Sequence, residues 1–164
     1  VYFQGGGLVA GSLDTHEGLC RALANATGCR LVSVDYRLAP EHKFPAAIMD
    51  GYVATLWVVE HAAELRIDRD RIAVGGDSAG GALAAIVCQL ARHAQGVRLA
   101  AQLLLCPITD FAADTESRRA FAEGYLLHKA TLDEDVEHYV PAGLNAADPR
   151  VSPLRALDFS GLPP

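Results

Sequence analysis

The segment Val74-Gly75-Gly76-Asp77-Ser78-Ala79-Gly80-Gly81 joins a short apolar run to a longer run of small apolar residues. It contains the pattern G-x-S-x-G, centred on Ser78, between a predicted strand at residues 71–74 and a predicted helix at about 79–94. A serine at so sharp a turn takes a strained backbone conformation, and only small neighbours leave room for it. The segment therefore predicts that the Ser78 hydroxyl is a nucleophile at the carboxyl end of a sheet.

Backbone N–H groups near this serine are a second predicted feature. The helix after Ser78 begins with an unpaired N–H at Ala79, and its positive dipole end faces any negative charge that develops there. Gly5-Gly6-Gly7 follows the first predicted strand, and glycines let N–H groups approach a substrate carbonyl without interference from a Cβ. A flexible turn or a phosphate-binding loop is the competing interpretation, but no lysine follows the glycines, as a Walker sequence requires.

Short apolar runs alternate with helical patterns along the chain. Continuous apolar strands without polar alternation are typical of parallel sheets buried on both faces. The regular succession of strand, helix and strand predicts the α/β class, with a mostly parallel sheet and helices on both faces. The predicted strands are 1–4, 31–34, 71–74 and 99–106, and the predicted helices between them are about 14–27, 46–63 and 79–94.

The pattern weakens after Pro107. Two shorter helical pieces are expected at about 115–123 and 131–139, joined by a segment that begins with a glycine. They indicate an insertion over the end of the sheet. We therefore expect one partial α/β core over residues 1–164, with a cap at about 113–147.

Composition and charge exclude several classes of protein. The 164 residues are 51% hydrophobic, which is enough for a packed core and unlike a disordered chain. The net charge of −6 and the scattered basic residues argue against a nucleic-acid partner. No apolar run is long enough to span a bilayer, and the first residues lack the layout of a signal peptide, so we expect a cytoplasmic protein.

The cysteines and histidines show no metal-binding pattern. Cys20, Cys29, Cys88 and Cys106 have no C-x-x-C spacing, and each lies in an apolar segment. We therefore expect buried, reduced thiols rather than disulfides or metal ligands. The sequence predicts no metal and no cofactor, and it allows a homo-oligomer.

Three segments of the chain carry recognisable sequence patterns. A loop with the sequence Y-R-L-A-P-E-H-K-F-P-A-A occupies residues 36–47. The sequence G-D-S-A-G-G occupies residues 76–81, and D-P-R-V-S-P-L occupies residues 148–154. In this combination the chain resembles the hormone-sensitive-lipase-like esterases, also called the bacterial family IV carboxylesterases, of the α/β-hydrolase superfamily.

The resemblance implies roles for individual residues. Ser78 would be the acylated nucleophile, and the N–H groups of Gly6, Gly7 and Ala79 would form the oxyanion hole. The partner would be a small-molecule ester with a small acyl or aryl group. The loop from Arg37 to Glu41 would be structural, with its charges paired locally.

Gln4 departs from the family pattern, because it occupies the position of the histidine in the family's H-G-G-G sequence. A glutamine can still form hydrogen bonds that hold the loop, so we expect a tuned or weakened oxyanion hole. Residues 2–5 also match the tail of a viral protease site of the kind used in expression tags, but the same residues fill the expected strand.

A second departure concerns the rest of the triad. The family's acid lies in a D-P-L-x-D-E sequence and its base in an H-G-F-type loop, and neither sequence is present in these residues. We therefore expect a piece of a serine esterase, truncated at both ends, with little activity alone. The alternative is a non-catalytic protein of the same fold that binds a small ligand, as the family's plant gibberellin receptors do.

Some residues inside the chain are candidates for a substitute acid or base. Asp110 follows the last predicted strand, where a triad acid would lie, although a turn or helix cap is its more ordinary role. His128 and His138 lie in the predicted cap and are candidate bases. His93 lies about fifteen residues beyond Ser78 on the predicted helix, roughly 20 Å away, which is too far.

Overall fold

A parallel sheet forms the centre of the computed structural model, which describes residues 1–94 and 97–164. Its strands are hydrogen-bonded in the order β1 (Tyr2–Phe3), β2 (Ala73–Asp77) and β3 (Ala101–Leu105). The pairings are parallel, with Phe3 opposite Gly76. This register puts the carboxyl ends of β1 and β2 side by side, so the residues that follow the two strands meet at one edge of the sheet.

The helices follow the predicted order. A capping box of Ser12 and Thr15 begins the first helix, and Gly28, in the left-handed conformation, ends it. None of the helices in the described residues is long and apolar enough to cross a membrane. The helices are α1 (Leu13–Thr27), α2 (Ala46–Glu60), α3 (Ala79–Ala91), α4 (Glu116–Ala120) and α5 (Lys129–Tyr139), and single 3-10 turns occupy Arg69–Arg71 and Pro153–Arg155.

Helices cover both faces of the sheet, as the two residues of β1 indicate. Successive side chains of a strand point to opposite faces. The Phe3 ring lies against Gly51 of α2. The Tyr2 hydroxyl instead donates to Asp77, which His16 of α1 also approaches. The predicted α/β class, a mostly parallel sheet with helices on both faces, is confirmed.

The helix α3 forms much of the core. Most of its 13 residues are buried, and they are small or aliphatic, as expected of a helix enclosed on all sides. Burial of larger side chains such as Leu83 and Val87 contributes about 1.5–3 kcal/mol each. This burial fixes α3, and therefore the serine at its amino end, against the sheet.

The predicted strand at 31–34 is wrong in extent, because the structure contains only an isolated parallel bridge between Tyr2 and Ser33 there. The Tyr2 N–H donates to the Val32 carbonyl at 2.8 Å, and the Val34 N–H donates to the Tyr2 carbonyl at 3.0 Å. The ladder ends after this bridge, since the chain leaves the sheet for the glycine loop directly after Phe3.

Other predicted boundaries also shift. The helix predicted at 46–63 ends at Glu60, because residues 61–66 form turns and Arg66 takes a positive φ of 51°. The piece predicted at 115–123 is helical only over Glu116–Ala120. The strand predicted at 71–74 lies later, at Ala73–Asp77, since the glycines before Ser78 pair with both neighbouring strands.

A buried serine joins the two ends of the region after β3. The Phe111 N–H donates to Ser152 Oγ at 2.8 Å, and the Ser152 hydroxyl donates to the Ala146 carbonyl at 2.6 Å. The Leu154 N–H donates to the Thr109 carbonyl at 2.9 Å. The segment between Phe111 and Ser152 therefore leaves and rejoins the core at one place.

Two expectations about surface chemistry need correction. All four cysteines are free, but Cys29 and Cys106 are exposed, because they lie after the last turn of α1 and after the end of β3. Arg37 is not paired with Glu41. Its guanidinium and N–H bind the carboxylate of Asp50 on α2, since a helix across the loop presents both carboxylate oxygens at once.

Candidate active site

Ser78 lies half-buried at the turn between β2 and α3. Its φ of 53° and ψ of −121° are strained for a residue with a side chain, at a cost of about 1–3 kcal/mol. The Ser78 N–H donates to the Leu105 carbonyl at 2.9 Å, and the Ile108 N–H donates to the Ser78 carbonyl at 3.1 Å, so the end of β3 and the loop after it hold the turn on both sides. Among the described residues, no hydrogen bond uses the Ser78 hydroxyl.

The glycines around Ser78 are required by close packing against β1. A Cβ atom on Gly80 would overlap the carbonyl oxygens of Phe3 and Gln4. A Cβ atom on Gly76 would overlap the Gly80 carbonyl. The amino end of α3 therefore lies directly against the end of β1, which brings the glycine loop beside the serine.

The glycine loop supplies unpaired N–H groups. Gly6 and Gly7 have φ values of 116° and 67°, which favour glycine strongly. The Gly6 carbonyl accepts from the N–H groups of Val9 and Ala10, which closes the loop. Within residues 1–94 and 97–164, no hydrogen bond uses the N–H of Gly6 or Gly7. Ala79, the first residue of α3, has no partner for its N–H within the helix.

Asp77 connects the elbow to the glycine loop. Its Oδ1 accepts hydrogen bonds from the Tyr2 hydroxyl at 2.8 Å and from the Gly5 N–H at 3.1 Å. Its Oδ2 lies 3.4 Å from Nε2 of His16, and both side chains are largely buried. Burial, followed by the hydrogen bond to Asp77, raises the pKa of Tyr2 far above its usual value, so Tyr2 remains a donor at neutral pH. The residue before Ser78 therefore holds the start of the loop.

Gln4 does not hold the loop through its side chain, contrary to the expectation from the sequence. The residue is fully buried, but neither its amide nitrogen nor its amide oxygen has a hydrogen-bond partner among the described residues. Only its backbone is engaged, since the Tyr36 hydroxyl donates to the Gln4 carbonyl at 2.6 Å. The side chain fills space beside Gly11 and leaves polar atoms unsatisfied.

Asp110, the candidate acid, is occupied by other contacts. Its carboxylate accepts from Arg155 Nε at 3.0 Å and lies 2.9 Å from another guanidinium nitrogen of Arg155. It also accepts from the Ala112 N–H at 3.0 Å, which is a turn bond. Burial raises the pKa of Asp110, but the bonds from Arg155 and Ala112 outweigh it and leave the pKa below its usual value. The structure therefore gives Asp110 the turn role that the sequence offered as the alternative.

The candidate bases lie on α5. His128 is the exposed residue before the helix, and it makes no side-chain capping bond. His138 lies in the last turn and is half-buried. No hydrogen bond in the described part of the chain joins either histidine to Ser78. The structure thus places Ala79, Gly6 and Gly7 around the turn of Ser78, but no hydrogen bond among the described residues joins Ser78 to Asp110, His128 or His138.

Two residues near the site were missed by sequence reasoning. His16 belongs to none of the sequence patterns, yet it approaches Asp77 from the first turn of α1. Asp135 of α5 lies against Gly7, where a Cβ atom would overlap its carboxylate. The Ser12-to-Thr15 sequence could have placed His16 in the first turn of α1, because a capping box fixes where a helix begins. Nothing local to α5 could have placed Asp135.

Comparison with known proteins identifies the fold family of the chain. A family model described as alpha/beta hydrolase fold matches residues 1–164. The carboxylic ester hydrolase LipN of Mycobacterium tuberculosis is 47% identical over 170 aligned residues, which cover 100% of this chain and 45% of that protein. The ethyl acetate hydrolase of Pseudomonas putida is 42% identical over 155 residues, covering 94% of this chain and 49% of that protein.

A solved structure agrees with the fold in detail. An ester hydrolase from the metagenome of Lake Arreo, complexed with a bipyridine phosphonate derivative, has a TM-score of 0.95 and 52% identity. The match covers 99% of this chain and 52% of that one. The chain spans about half the length of the curated relatives it matches. It belongs to the alpha/beta-hydrolase fold family, in the hormone-sensitive-lipase-like branch of carboxylesterases.

Proposed function

We propose that the whole protein to which this chain belongs is a serine carboxylesterase, with Ser78 as the nucleophile. One observation carries the proposal. The Ser78 hydroxyl has no hydrogen-bond partner among the described residues and stands on a strained turn, beside a loop whose Gly6 and Gly7 N–H groups are unused. A strained serine with free amide donors beside it suits acyl transfer, because the donors stabilise negative charge as it develops on the substrate carbonyl.

The first half of the proposed reaction forms an acyl-enzyme. Ser78 Oγ attacks the ester carbonyl carbon while a general base takes the hydroxyl proton. The carbonyl oxygen becomes an oxyanion, which the N–H groups of Gly6, Gly7 and Ala79 stabilise. The bond to the alcohol oxygen then breaks, and the alcohol leaves with the proton that the base returns.

The second half releases the acid. Water gives a proton to the base and adds to the acyl carbon, and the same N–H groups stabilise the second oxyanion. The bond to Ser78 Oγ breaks, the serine regains its proton and the carboxylic acid leaves. We place the base and its acid partner outside these 164 residues, since His128 and His138 make no hydrogen bond to Ser78 and Asp110 is paired with Arg155.

We propose small-molecule esters as substrates and residues 113–147 as the cap over the acyl site. The helix α5 supports this role, because its Asp135 lies against the glycine loop. The relatives named as an ethyl acetate hydrolase and a carboxylic ester hydrolase also favour ester hydrolysis over the ligand-binding alternative.

Labelling of the intact protein with a fluorophosphonate probe tests the proposal. We expect the probe to label Ser78, and Ser78→Ala to remove both the label and more than about a thousandfold of the turnover of p-nitrophenyl acetate. Ser160→Ala, at an exposed serine outside the proposed cap, is the matched control and should retain both. An intact protein that folds but takes no label at Ser78 would overturn the proposal.

A further inference from the structure

Asp135 is held near the candidate oxyanion hole by the anchoring of α5. The last residue of this helix, Tyr139, is fully buried and packs against Phe44 and Phe111, with ring centroids 6.2 Å apart in each pair. The Phe44 N–H donates to the Tyr139 carbonyl at 2.9 Å. Lys43 adds a bond from Nζ to the Glu137 carbonyl at 2.8 Å. The end of α5 is therefore fixed to the core, and Asp135 lies one turn before it.

The Asp135 carboxylate contacts the glycine loop directly. A Cβ atom on Gly7 would overlap both of its oxygens, so only a glycine allows the carboxylate this close approach. The Gly7 N–H is one of the donors proposed for the oxyanion. Asp135 thus lies beside one of the residues proposed to hold the carbonyl oxygen of a bound ester.

The charge of Asp135 has no partner within the described residues, where no hydrogen bond or ion pair uses its carboxylate. The nearby cations are committed elsewhere, because Lys129 pairs with Asp133 and Lys43 binds backbone carbonyls. Burial, then the neighbouring Glu134, raises the pKa of Asp135, while His138 lowers it. An anion that is half-buried without a cation is incompletely compensated.

We propose that Asp135 is a specificity-determining residue that favours esters with a cationic group close to the scissile carbonyl. The inference rests on the proposed esterase function of Ser78. A substrate ammonium group would supply the countercharge that the protein lacks. Without such a group, the carboxylate would repel the negative charge that develops in the oxyanion hole. A cationic group on the substrate should therefore stabilise the transition state as well as the bound substrate.

Matched pairs of charged and neutral substrates test the proposal on the intact protein. Acetylcholine and its neutral analogue 3,3-dimethylbutyl acetate place the charge on the alcohol. Betaine ethyl ester and ethyl 3,3-dimethylbutanoate place it on the acyl group. The quantity measured is the charged-to-neutral ratio of kcat/KM, compared between the wild type and Asp135→Asn, so that intrinsic differences in ester reactivity cancel.

We expect Asp135→Asn to lower this ratio about tenfold for at least one pair, mainly by slowing the charged ester. Glu137→Gln, at an exposed residue on the same helix whose carboxylate takes part in no hydrogen bond or ion pair among the described residues, is the control and should leave the ratio unchanged. Raising the salt concentration should shrink the wild-type preference, because the site is partly open to solvent. Ratios that are the same in wild type and Asp135→Asn for both pairs would overturn the proposal.

The Ser78 label separates this test from that of the proposed function. If the folded wild-type protein takes no fluorophosphonate label at Ser78, the proposed esterase function is wrong. If Asp135→Asn is still labelled at Ser78 but has the same charged-to-neutral ratio of kcat/KM as the wild type, only the proposed role of Asp135 is wrong.

Discussion

The carboxylate of Asp77 accepts a hydrogen bond from the Gly5 N–H at 3.1 Å, and this bond joins the residue before Ser78 to the start of the glycine loop. The same oxygen accepts from Tyr2, a residue of β1. The elbow and the loop follow different strands, so the relative position of Ser78 and its candidate donors depends on contacts of this kind. We therefore expect Asp77 to act as a positioning residue for the proposed oxyanion hole.

Removal of this acceptor should reduce turnover rather than binding. We expect Asp77→Ala to lower kcat of the intact protein about ten- to a hundredfold with little change in KM, because a displaced donor stabilises the transition state less well. Asp77→Asn should be milder, since its amide oxygen can still accept from Gly5 and Tyr2. Steady-state kinetics with p-nitrophenyl acetate measures both.

An exposed residue of α1 provides the control for Asp77. Asp14→Asn removes a carboxylate from the first turn of α1, the helix whose His16 approaches Asp77, without changing a contact of the glycine loop. It should leave kcat unchanged. If Asp77→Ala retains the wild-type kcat, or Asp77→Asn is the worse of the two, the positioning role is wrong.

Gly80 tests the packing of the elbow against β1. We expect Gly80→Ala to lower the free energy of unfolding by about 3 kcal/mol, because its Cβ would overlap two backbone carbonyl oxygens that cannot move aside cheaply. Gly18→Ala is the matched control. Gly18 lies within α1 and a Cβ there meets nothing within 4 Å, so the substitution should stabilise the protein by about 0.5–1 kcal/mol. Urea unfolding measures both, and a Gly80→Ala protein as stable as the wild type contradicts the expected overlap.

The buried, unpaired amide of Gln4 is expected to lower the free energy of unfolding. Gln4→Met keeps the length of the side chain and removes the unpaired amide, so we expect the free energy of unfolding to rise by about 1 kcal/mol. Thermal and urea unfolding of the intact protein check the sign. A clear loss of stability in Gln4→Met would instead mean that the amide has a polar partner in solution.

The features that could be predicted from the sequence are local ones. The Ser78 elbow, the glycine loop and the ends of α1 depend on residues that are neighbours in the chain, and their patterns are specific. The contact of Asp135 with Gly7 joins residues far apart in sequence, so no periodicity or motif could reveal it. The strand predicted at 31–34 failed for a related reason, since its length is limited by its partner β1.

Gln4 and Arg37 show a second limit of sequence reasoning. A sequence identifies what a side chain can bind, but not whether a partner lies within reach. The Gln4 side chain has both a donor and an acceptor, but neither forms a hydrogen bond among the described residues. Arg37 binds Asp50 rather than Glu41, which is nearer in sequence.

The pair of Arg37 and Asp50 predicts a dependence of stability on pH. The side-chain hydrogen bond from Arg37 holds the pKa of Asp50 below its usual value, although partial burial opposes this. A carboxyl whose pKa is lower in the folded protein binds more protons when unfolded, so it stabilises the fold above the unfolded pKa of about 4. This stabilisation is lost as the pH falls through the lower, folded pKa.

Asp50→Asn should therefore reduce the free energy of unfolding by about 1 kcal/mol at pH 7, since Arg37 is half-exposed and the pair is partly screened. The difference between the wild type and Asp50→Asn should shrink progressively below about pH 4, because acid removes from the wild type the same charge that the variant lacks. Asp114→Asn, which breaks an exposed pair with Arg119, controls for the general effect of removing a carboxylate and should change stability by less than about 0.5 kcal/mol. Urea unfolding of all three proteins at pH 7 and pH 3.5 measures the differences. A penalty for Asp50→Asn that stays constant or grows in acid would show that the carboxylate contributes through packing rather than through its charge.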